Sequence, residues 1–311
     1  MPGAMSKALL PSMPRLCMLI MAAALSMASA AEPQVPPGVK SLRDLPYVTD
    51  GHQRQKLDLY IPEKPQGPLM VYIHGGGWLG GDKSQVEGLP LVKHGYCVAS
   101  LNYRYSNQAI FPAQIEDCKA AIRWLRAHAS EYGYDPHRIA AWGGSAGGHL
   151  TALLATTGNV RDFDVGENLD QSSAIQCGID LFGPTDLPGY VPPSELPLIQ
   201  RTGKDSALVQ LLGGPVDEKL ELARKASPIT WVSKESAPLF ILHGTADQLI
   251  GVEQSQRLVD KYKAAGVEVT LEVVQGAGHG GPEFMGDDRP KRLVEFLERH
   301  LRAPAPGTSQ Q

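Results

Sequence analysis

Cysteine is scarce in this sequence, and clusters of basic residues are missing. At 311 residues the chain can bury a full hydrophobic core, so with four cysteines it needs no disulfide or metal scaffold. The formal net charge of -4 is spread along the chain without a Lys/Arg block, so nothing indicates nucleic acid or an anionic membrane as a partner. The composition, 42% hydrophobic and 20% charged, is typical of a globular enzyme with one large domain or two small ones.

The long apolar run of the sequence lies near the N-terminus and has the features of a signal peptide. Lys7 and Arg15 are followed by an apolar segment at 16–27 that is too short to span a bilayer, and then by Ala-Ser-Ala at 28–30. We expect cleavage after Ala30 and a secreted or periplasmic protein without a membrane span. The alternatives are an uncleaved anchor and a translation start at Met5.

Removal of residues 1–30 leaves three cysteines, Cys97, Cys118 and Cys177. One disulfide is possible in an oxidising compartment. Each of the three lies in an apolar run, however, which favours free cysteines acting as small buried hydrophobic residues.

Short apolar runs alternate with segments of helical periodicity along the chain. This pattern predicts an α/β fold, with a mainly parallel central sheet and helices on both faces. Strands are predicted at 55–61, 68–73, 96–103, 138–142, 174–181, 238–242 and 267–274, and helices at 112–132, after residue 148, at 252–265 and at 289–301.

We predict one catalytic domain over residues 47–301, because no linker divides this region. Residues 31–46 are Pro-rich and are predicted to be an irregular lead-in, and residues 302–311 a disordered tail. The Pro- and Gly-rich stretch 184–225 interrupts the alternation, apart from one helical patch at 205–212. It is predicted to be a lid-like insertion that contacts substrate, the alternative being a surface excursion.

The strongest functional signal is Gly143-Gly144-Ser145-Ala146-Gly147 between a predicted strand and a predicted helix. Glycines beside the serine allow the sharp turn of a nucleophile elbow, which lifts the Ser145 hydroxyl above the sheet. The serine also lies at a helix N-terminus, where backbone N–H groups favour negative charge.

A glycine-rich segment, His74-Gly75-Gly76-Gly77-Trp78, follows the second predicted strand. Here the backbone can approach a ligand closely, so we assign the oxyanion hole to the N–H groups of Gly76, Gly77 and Ala146. His74 is expected to brace the loop.

The acid and the base of a catalytic triad follow later strands. Asp247 comes after the strand at 238–242, and His279 lies in a glycine-flanked loop after the last strand. The order Ser145, Asp247, His279 is that of an α/β-hydrolase. His243, near the acid, is expected to be structural.

These stretches resemble a known family. HGGGW at 74–78, NYRYS at 102–106, the block from 111 to 150, ASPITWVS at 226–233 and HGTAD at 243–247 are similar to the esterase/lipase branch of the α/β-hydrolases, and more narrowly to the bifunctional feruloyl and acetylxylan esterases, BD-FAE. The resemblance covers about residues 45–301. It implies hydrolysis of short acyl esters, with a small ester or an acylated plant polysaccharide as substrate, and neither a cofactor nor a metal.

One departure concerns the helical cap that hormone-sensitive-lipase-like esterases carry before their first strand. Residues 31–46 are too short and too Pro-rich for such a cap, so residues 184–225 are the candidate for controlling access. A hydrolase of another acyl class, acting on formamides, peptides or polyesters, would use the same triad, and a hydrolase fold can also serve as a non-catalytic binding protein.

Overall fold

The computed structural model describes residues 33–65, 67–190 and 202–301. Its strands are β1 Lys40–Pro46, β2 Lys56–Ile61, β3 Leu69–Ile73, β4 Cys97–Leu101, β5 Ile139–Gly144, β6 Cys177–Leu181, β7 Leu239–Gly244 and β8 Val269–Val274. They form one 8-stranded sheet in the order β1-β2-β4-β3-β5-β6-β7-β8. Strands β3 to β8 run parallel, and β2 is antiparallel to both of its neighbours. This is the predicted α/β-hydrolase fold.

Helices connect the strands and cover both faces of the sheet. They are α1 Ala113–Ala127, α2 Ala129–Tyr132, α3 Ala146–Thr156, α4 Ala207–Leu212, α5 Leu220–Lys225, α6 Pro228–Trp231, α7 Glu253–Ala264 and α8 Arg289–His300, with 3-10 helices at Leu89–His94, Val216–Glu218 and Pro282–Met285. The helix predicted over 112–132 is therefore two helices. They separate at His128, whose ring Nδ1 lies 2.8 Å from the Trp124 carbonyl oxygen.

The core has two parts, one on each face of the sheet. Alternate residues of a strand point to opposite faces, so Leu69, Val71 and Ile73 of β3 pack with α1, α3 and α7. Met70 and Tyr72 of the same strand pack with α8 and with the 3-10 helix Leu89–His94. Because both faces are covered, the central strands β3, β4 and β7 are almost continuously apolar, which is why they were recognisable in the sequence.

The prediction of an irregular lead-in over residues 31–46 was wrong for residues 40–46, which form β1. This edge strand has a register irregularity between Leu42 and Leu45, and Asp44 within it has φ 55°. The irregularity breaks the two-residue alternation that identifies a strand, and most of β1 is only half-buried. Residues 33–39 are irregular, as predicted.

Several predictions concern segments outside the described residues. The signal peptide at 1–30, the tail at 302–311 and residues 191–201 of the insertion belong to this group. The described parts of the 184–225 insertion contain the predicted helical patch, as α4, and additionally α5.

The three cysteines of the described chain, Cys97, Cys118 and Cys177, are free and buried, as their apolar surroundings predicted. Within residues 33–65, 67–190 and 202–301, no helix combines the length and apolar character needed to cross a bilayer. The carboxyl ends of the parallel strands lie along one edge of the sheet, so the loops after β3, β5, β7 and β8 emerge at that edge.

Candidate active site

Ser145 occupies a strained turn between β5 and α3. Its backbone has φ 55° and ψ -119°, a conformation that is costly for any residue with a side chain. The Ser145 N–H donates to the carbonyl oxygen of Leu181 at 2.8 Å, which ties the turn to the end of β6. A β-carbon at Gly147 would lie 2.0 Å from the carbonyl oxygen of Ile73, so the turn requires glycine there.

The structure brings the hydroxyl, imidazole and carboxylate groups of the predicted triad into one hydrogen-bonded chain. His279 Nε2 lies 2.9 Å from Ser145 Oγ, and His279 Nδ1 lies 2.7 Å from Asp247 Oδ2. The carboxylate accepts from Nδ1–H, which leaves Nε2 free to accept the proton of the serine hydroxyl. The arrangement has the geometry of an activated nucleophile.

The Asp247 carboxylate is held by its own loop. Its Oδ1 accepts from the backbone N–H groups of Leu249 at 2.8 Å and Ile250 at 2.9 Å. Burial opposes ionisation, but the hydrogen bonds from His243, His279 and the Ile250 N–H outweigh burial and hold the pKa of Asp247 well below its usual range. The acid therefore stays ionised wherever the protein is folded near neutral pH.

The glycine-rich loop after β3 passes directly against the elbow. A β-carbon at Gly75 would lie 2.8 Å from the carbonyl oxygen of Gly144, and Gly76 and Gly77 have φ values of 100° and 60°. Ala146 begins α3, so its N–H has no acceptor within the helix. The residues predicted to form the oxyanion hole thus lie on two adjacent backbone segments, and their donor roles remain a prediction.

His74 is a buried hydrogen-bonding residue of that loop. Its Nδ1 lies 2.8 Å from the Gly75 carbonyl oxygen, its Nε2 lies 3.1 Å from an Arg54 nitrogen, and its ring stacks on Tyr103 at 4.4 Å between centroids. Burial lowers the pKa of His74 to about 4. A neutral ring that donates to Gly75 through Nδ1 and accepts from Arg54 through Nε2 fits both hydrogen bonds. This is the structural role expected for His74.

Trp78 ends the loop and is anchored to helix α3. Its indole N–H donates to His149 Nδ1 at 3.2 Å, and His149 Nε2 lies 2.7 Å from the carbonyl oxygen of Ala226. Burial lowers the pKa of His149 to about 4, so this histidine is neutral and connects the loop, α3 and the segment before α6.

Two neighbours of the site were not recognised in the sequence. The Phe182 ring packs edge-on against His279, with 4.7 Å between centroids. Ala207, at the start of α4, is so close to the loop that a β-carbon on Gly77 would lie 3.2 Å from the Ala207 Cβ. Phe182 directly follows β6 at the carboxyl edge of the sheet, and that position was the available signal. No sequence signal marked Ala207, because its contact with the Gly77 loop depends on how the 184–225 insertion folds back.

A protein-family model, BD-FAE, matches residues 57–262. Among curated proteins, a probable carboxylic ester hydrolase of Mycobacterium tuberculosis, LipM, is 35% identical over 203 residues, which are 63% of this chain and 45% of LipM. The chain thus spans about half the length of that relative.

Solved structures show the same likeness. A truncated carbohydrate esterase from gut microbiota superposes with a TM-score of 0.77 at 31% identity, covering 85% of this chain and 97% of that one. An acetyl ester-xyloside bifunctional hydrolase from Caldicellulosiruptor lactoaceticus superposes with a TM-score of 0.65 at 26% identity, covering 78% of this chain and 87% of that one.

Proposed function

The chain belongs to the BD-FAE family, and from that premise we propose that it is a secreted serine ester hydrolase that acts on short acyl esters. The observation that supports this most directly is the hydrogen-bonded chain from Asp247 Oδ2 through His279 to Ser145 Oγ. The similarity to a carbohydrate esterase and to an acetyl ester-xyloside hydrolase favours acetyl groups on a carbohydrate as the natural esters. The resemblance to feruloyl and acetylxylan esterases adds feruloyl groups on plant polysaccharide.

The proposed reaction proceeds in two steps through an acyl-enzyme. Ser145 Oγ attacks the ester carbonyl carbon while His279 Nε2 takes the hydroxyl proton, and Asp247 stabilises the imidazolium that forms. The carbonyl oxygen becomes an oxyanion and accepts hydrogen bonds from the N–H groups of Gly76, Gly77 and Ala146. When the tetrahedral intermediate collapses, the bond to the alcohol oxygen breaks and His279 returns the proton to the leaving alcohol.

The second step releases the acid. Water attacks the acyl-Ser145 carbonyl while His279 takes one of its protons, and collapse of the intermediate frees the carboxylic acid and restores the serine hydroxyl. Removal of one oxyanion donor typically costs about 3 kcal/mol of barrier, so the two glycines and Ala146 carry a large share of the proposed catalysis.

The test is hydrolysis of p-nitrophenyl acetate by the wild-type protein and by Ser145→Ala. We expect the variant to retain the thermal unfolding temperature of the wild type and to lose activity by several orders of magnitude. Equal turnover by the two proteins would overturn the triad mechanism. Turnover of formamides or peptides with no ester hydrolysis would assign the same residues to another acyl substrate.

Export is part of the proposal and rests on residues 1–30. N-terminal sequencing of protein recovered outside the cytoplasm should begin at Ala31. An intact N-terminus on membrane-bound protein would indicate an uncleaved anchor instead.

A further inference from the structure

A cavity of about 490 Å³ opens beside the candidate base. Its lining includes Glu87, Phe182, Gly280, Phe284 and Met285. Phe182 forms the wall shared with the active site, because its ring lies 4.7 Å from the His279 ring and 4.9 Å from the Phe284 ring between centroids. Gly280 directly follows His279 in the chain.

We propose that this cavity binds a neutral, hydroxyl-bearing ring of the substrate's alcohol portion, with Glu87 as the acceptor for a ring hydroxyl. The inference rests on the proposed esterase function and extends it to the leaving group. It assigns to Glu87 a role in alcohol specificity, outside the chemical steps.

The position of the cavity indicates the alcohol side of the ester. In the proposed reaction the leaving alcohol receives its proton from His279, and the cavity is bordered by Phe182 and Gly280 beside that histidine. The oxyanion loop Gly75–Gly77 does not contribute to the described lining. The volume agrees, since the cavity is far larger than an acetyl group and falls in the range of ordinary ligand pockets.

The chemistry of the lining indicates a ring that carries hydroxyls. Leu181, Phe182, Phe284 and Met285 provide an apolar surface. Glu87 is the single ionisable residue among the described lining residues. Apolar walls with one well-placed polar group suit a ligand that is apolar on its faces and polar at its edge, as a sugar ring is.

Glu87 is an exposed residue of the cavity wall, close to strand β3. Its carboxyl group lies near the hydroxyl of Tyr72, a β3 residue paired in register with Trp142 of β5. Partial desolvation at this position raises the pKa of Glu87, and the nearby Tyr72 hydroxyl opposes that shift. A carboxylate has acceptor sites for several donors, so the Glu87 carboxylate can accept from a ligand hydroxyl in the cavity.

The experiment compares two esters of the same acyl group. Acetylated xylo-oligosaccharide offers hydroxylated rings as the alcohol, whereas p-nitrophenyl acetate offers none, and the ratio of their kcat/KM values measures recognition of the alcohol. We expect Glu87→Gln to lower this ratio about tenfold, because a hydrogen bond to a charged acceptor is replaced by one to a neutral amide. Gln has the same shape as Glu and keeps one oxygen acceptor, so the position of the side chain should be retained.

Glu283→Gln is the matched control. Glu283 is exposed in the 3-10 helix Pro282–Met285 and is not among the residues that line the cavity. The substitution removes one negative charge near the cavity, and we expect the ratio of the two kcat/KM values to stay as in the wild type. A third measurement, p-nitrophenyl butyrate against p-nitrophenyl acetate, varies the acyl group at constant alcohol. The ratio of these two should be the same in Glu87→Gln and in the wild type.

The possible outcomes separate the inference from the function on which it rests. If the wild type hydrolyses p-nitrophenyl acetate and Glu87→Gln leaves the sugar ratio unchanged, the inference is overturned and the esterase function stands. A change in the ratio of butyrate to acetate hydrolysis would instead indicate that the cavity binds the acyl group, and it would also overturn the inference. If the wild type hydrolyses neither ester, the proposed function itself fails.

Discussion

His243 Nε2 lies 3.5 Å from Oδ2 of Asp247, the same oxygen that accepts the hydrogen bond from His279. His243 is fully buried, and its ring also contacts Ser255 Oγ at 2.7 Å and the Ile250 carbonyl oxygen at 2.8 Å. Ile250 in turn donates its N–H to Asp247 Oδ1. The contacts of His243, Ile250 and Ser255 therefore hold the Asp247 carboxylate in position without any bound substrate.

Because the Asp247 side chain is anchored in this way, Asp247→Asn should fold normally and lose activity. The Asn oxygen can still accept from Leu249 and Ile250, but its amide group then faces His279 Nδ1 and favours the wrong tautomer. We expect kcat for p-nitrophenyl acetate to fall roughly 10⁴-fold, as in the serine protease that is the template for this triad.

Thermal unfolding of Asp247→Asn by circular dichroism is the control for folding. A loss of only a few-fold in kcat would contradict the assignment and point to another acid in the same region, such as Glu253 at the start of α7.

A buried charge cluster away from the site should govern stability. Asp164 Oδ1 lies 3.1 Å from both Lys119 Nζ and an Arg123 nitrogen, and both cationic side chains are fully buried. Asp164→Asn leaves two buried cations without their carboxylate, so we expect the free energy of unfolding to fall by about 3 to 5 kcal/mol. Urea unfolding at neutral pH measures the change.

Asp162→Asn is the matched control for this cluster. Asp162 pairs with Lys225 at 3.6 Å, and both side chains are substantially exposed. Its loss should change the free energy of unfolding by no more than about 0.5 kcal/mol. Similar effects of the two substitutions would show that burial of the Asp164 cluster is not what makes it important.

Asp180 of β6 should make stability depend on pH. The side chain is fully buried, its Oδ1 accepts from the Gly183 N–H at 2.9 Å, and its Oδ2 has no hydrogen-bond partner among the described residues. Burial raises the pKa of Asp180 from 3.8 to about 6. Between these values the folded state binds more protons than the unfolded state, so this group lowers the free energy of unfolding as pH rises through the window.

Asp180→Asn removes that penalty. We expect the variant to be more stable than the wild type at pH 8, by up to about 3 kcal/mol, with the difference disappearing below about pH 4. Urea unfolding at several pH values measures it, and Asp260→Asn, on an exposed position of α7, controls for removal of a carboxylate. A difference that does not vary with pH would contradict the assignment.

Local patterns were enough to predict which three residues form the hydrogen-bonded chain Asp247–His279–Ser145 and to predict most of the sheet. Buried parallel strands are continuously apolar, and a nucleophile elbow requires glycines beside Ser145, so both leave marks within a few residues. The chain order Ser145, Asp247, His279 could be predicted for the same reason, since each residue follows its own strand. The edge strand β1 was missed because its irregularity and partial exposure erase the alternation on which a local prediction depends.

Tertiary structure alone decided the contacts between distant segments. Three examples each join residues from different loops or strands: the ring contact of Phe182 with His279, the proximity of Tyr72 to Glu87, and the approach of Ala207 to Gly77. Such contacts depend on strand order and on how loops fold over the sheet edge, and no local periodicity encodes either. The sequence by itself therefore determined which chemical groups the protein carries at its candidate site. Only the tertiary structure decided the cavity beside them, because a cavity is formed by side chains that are neighbours in space and not in sequence.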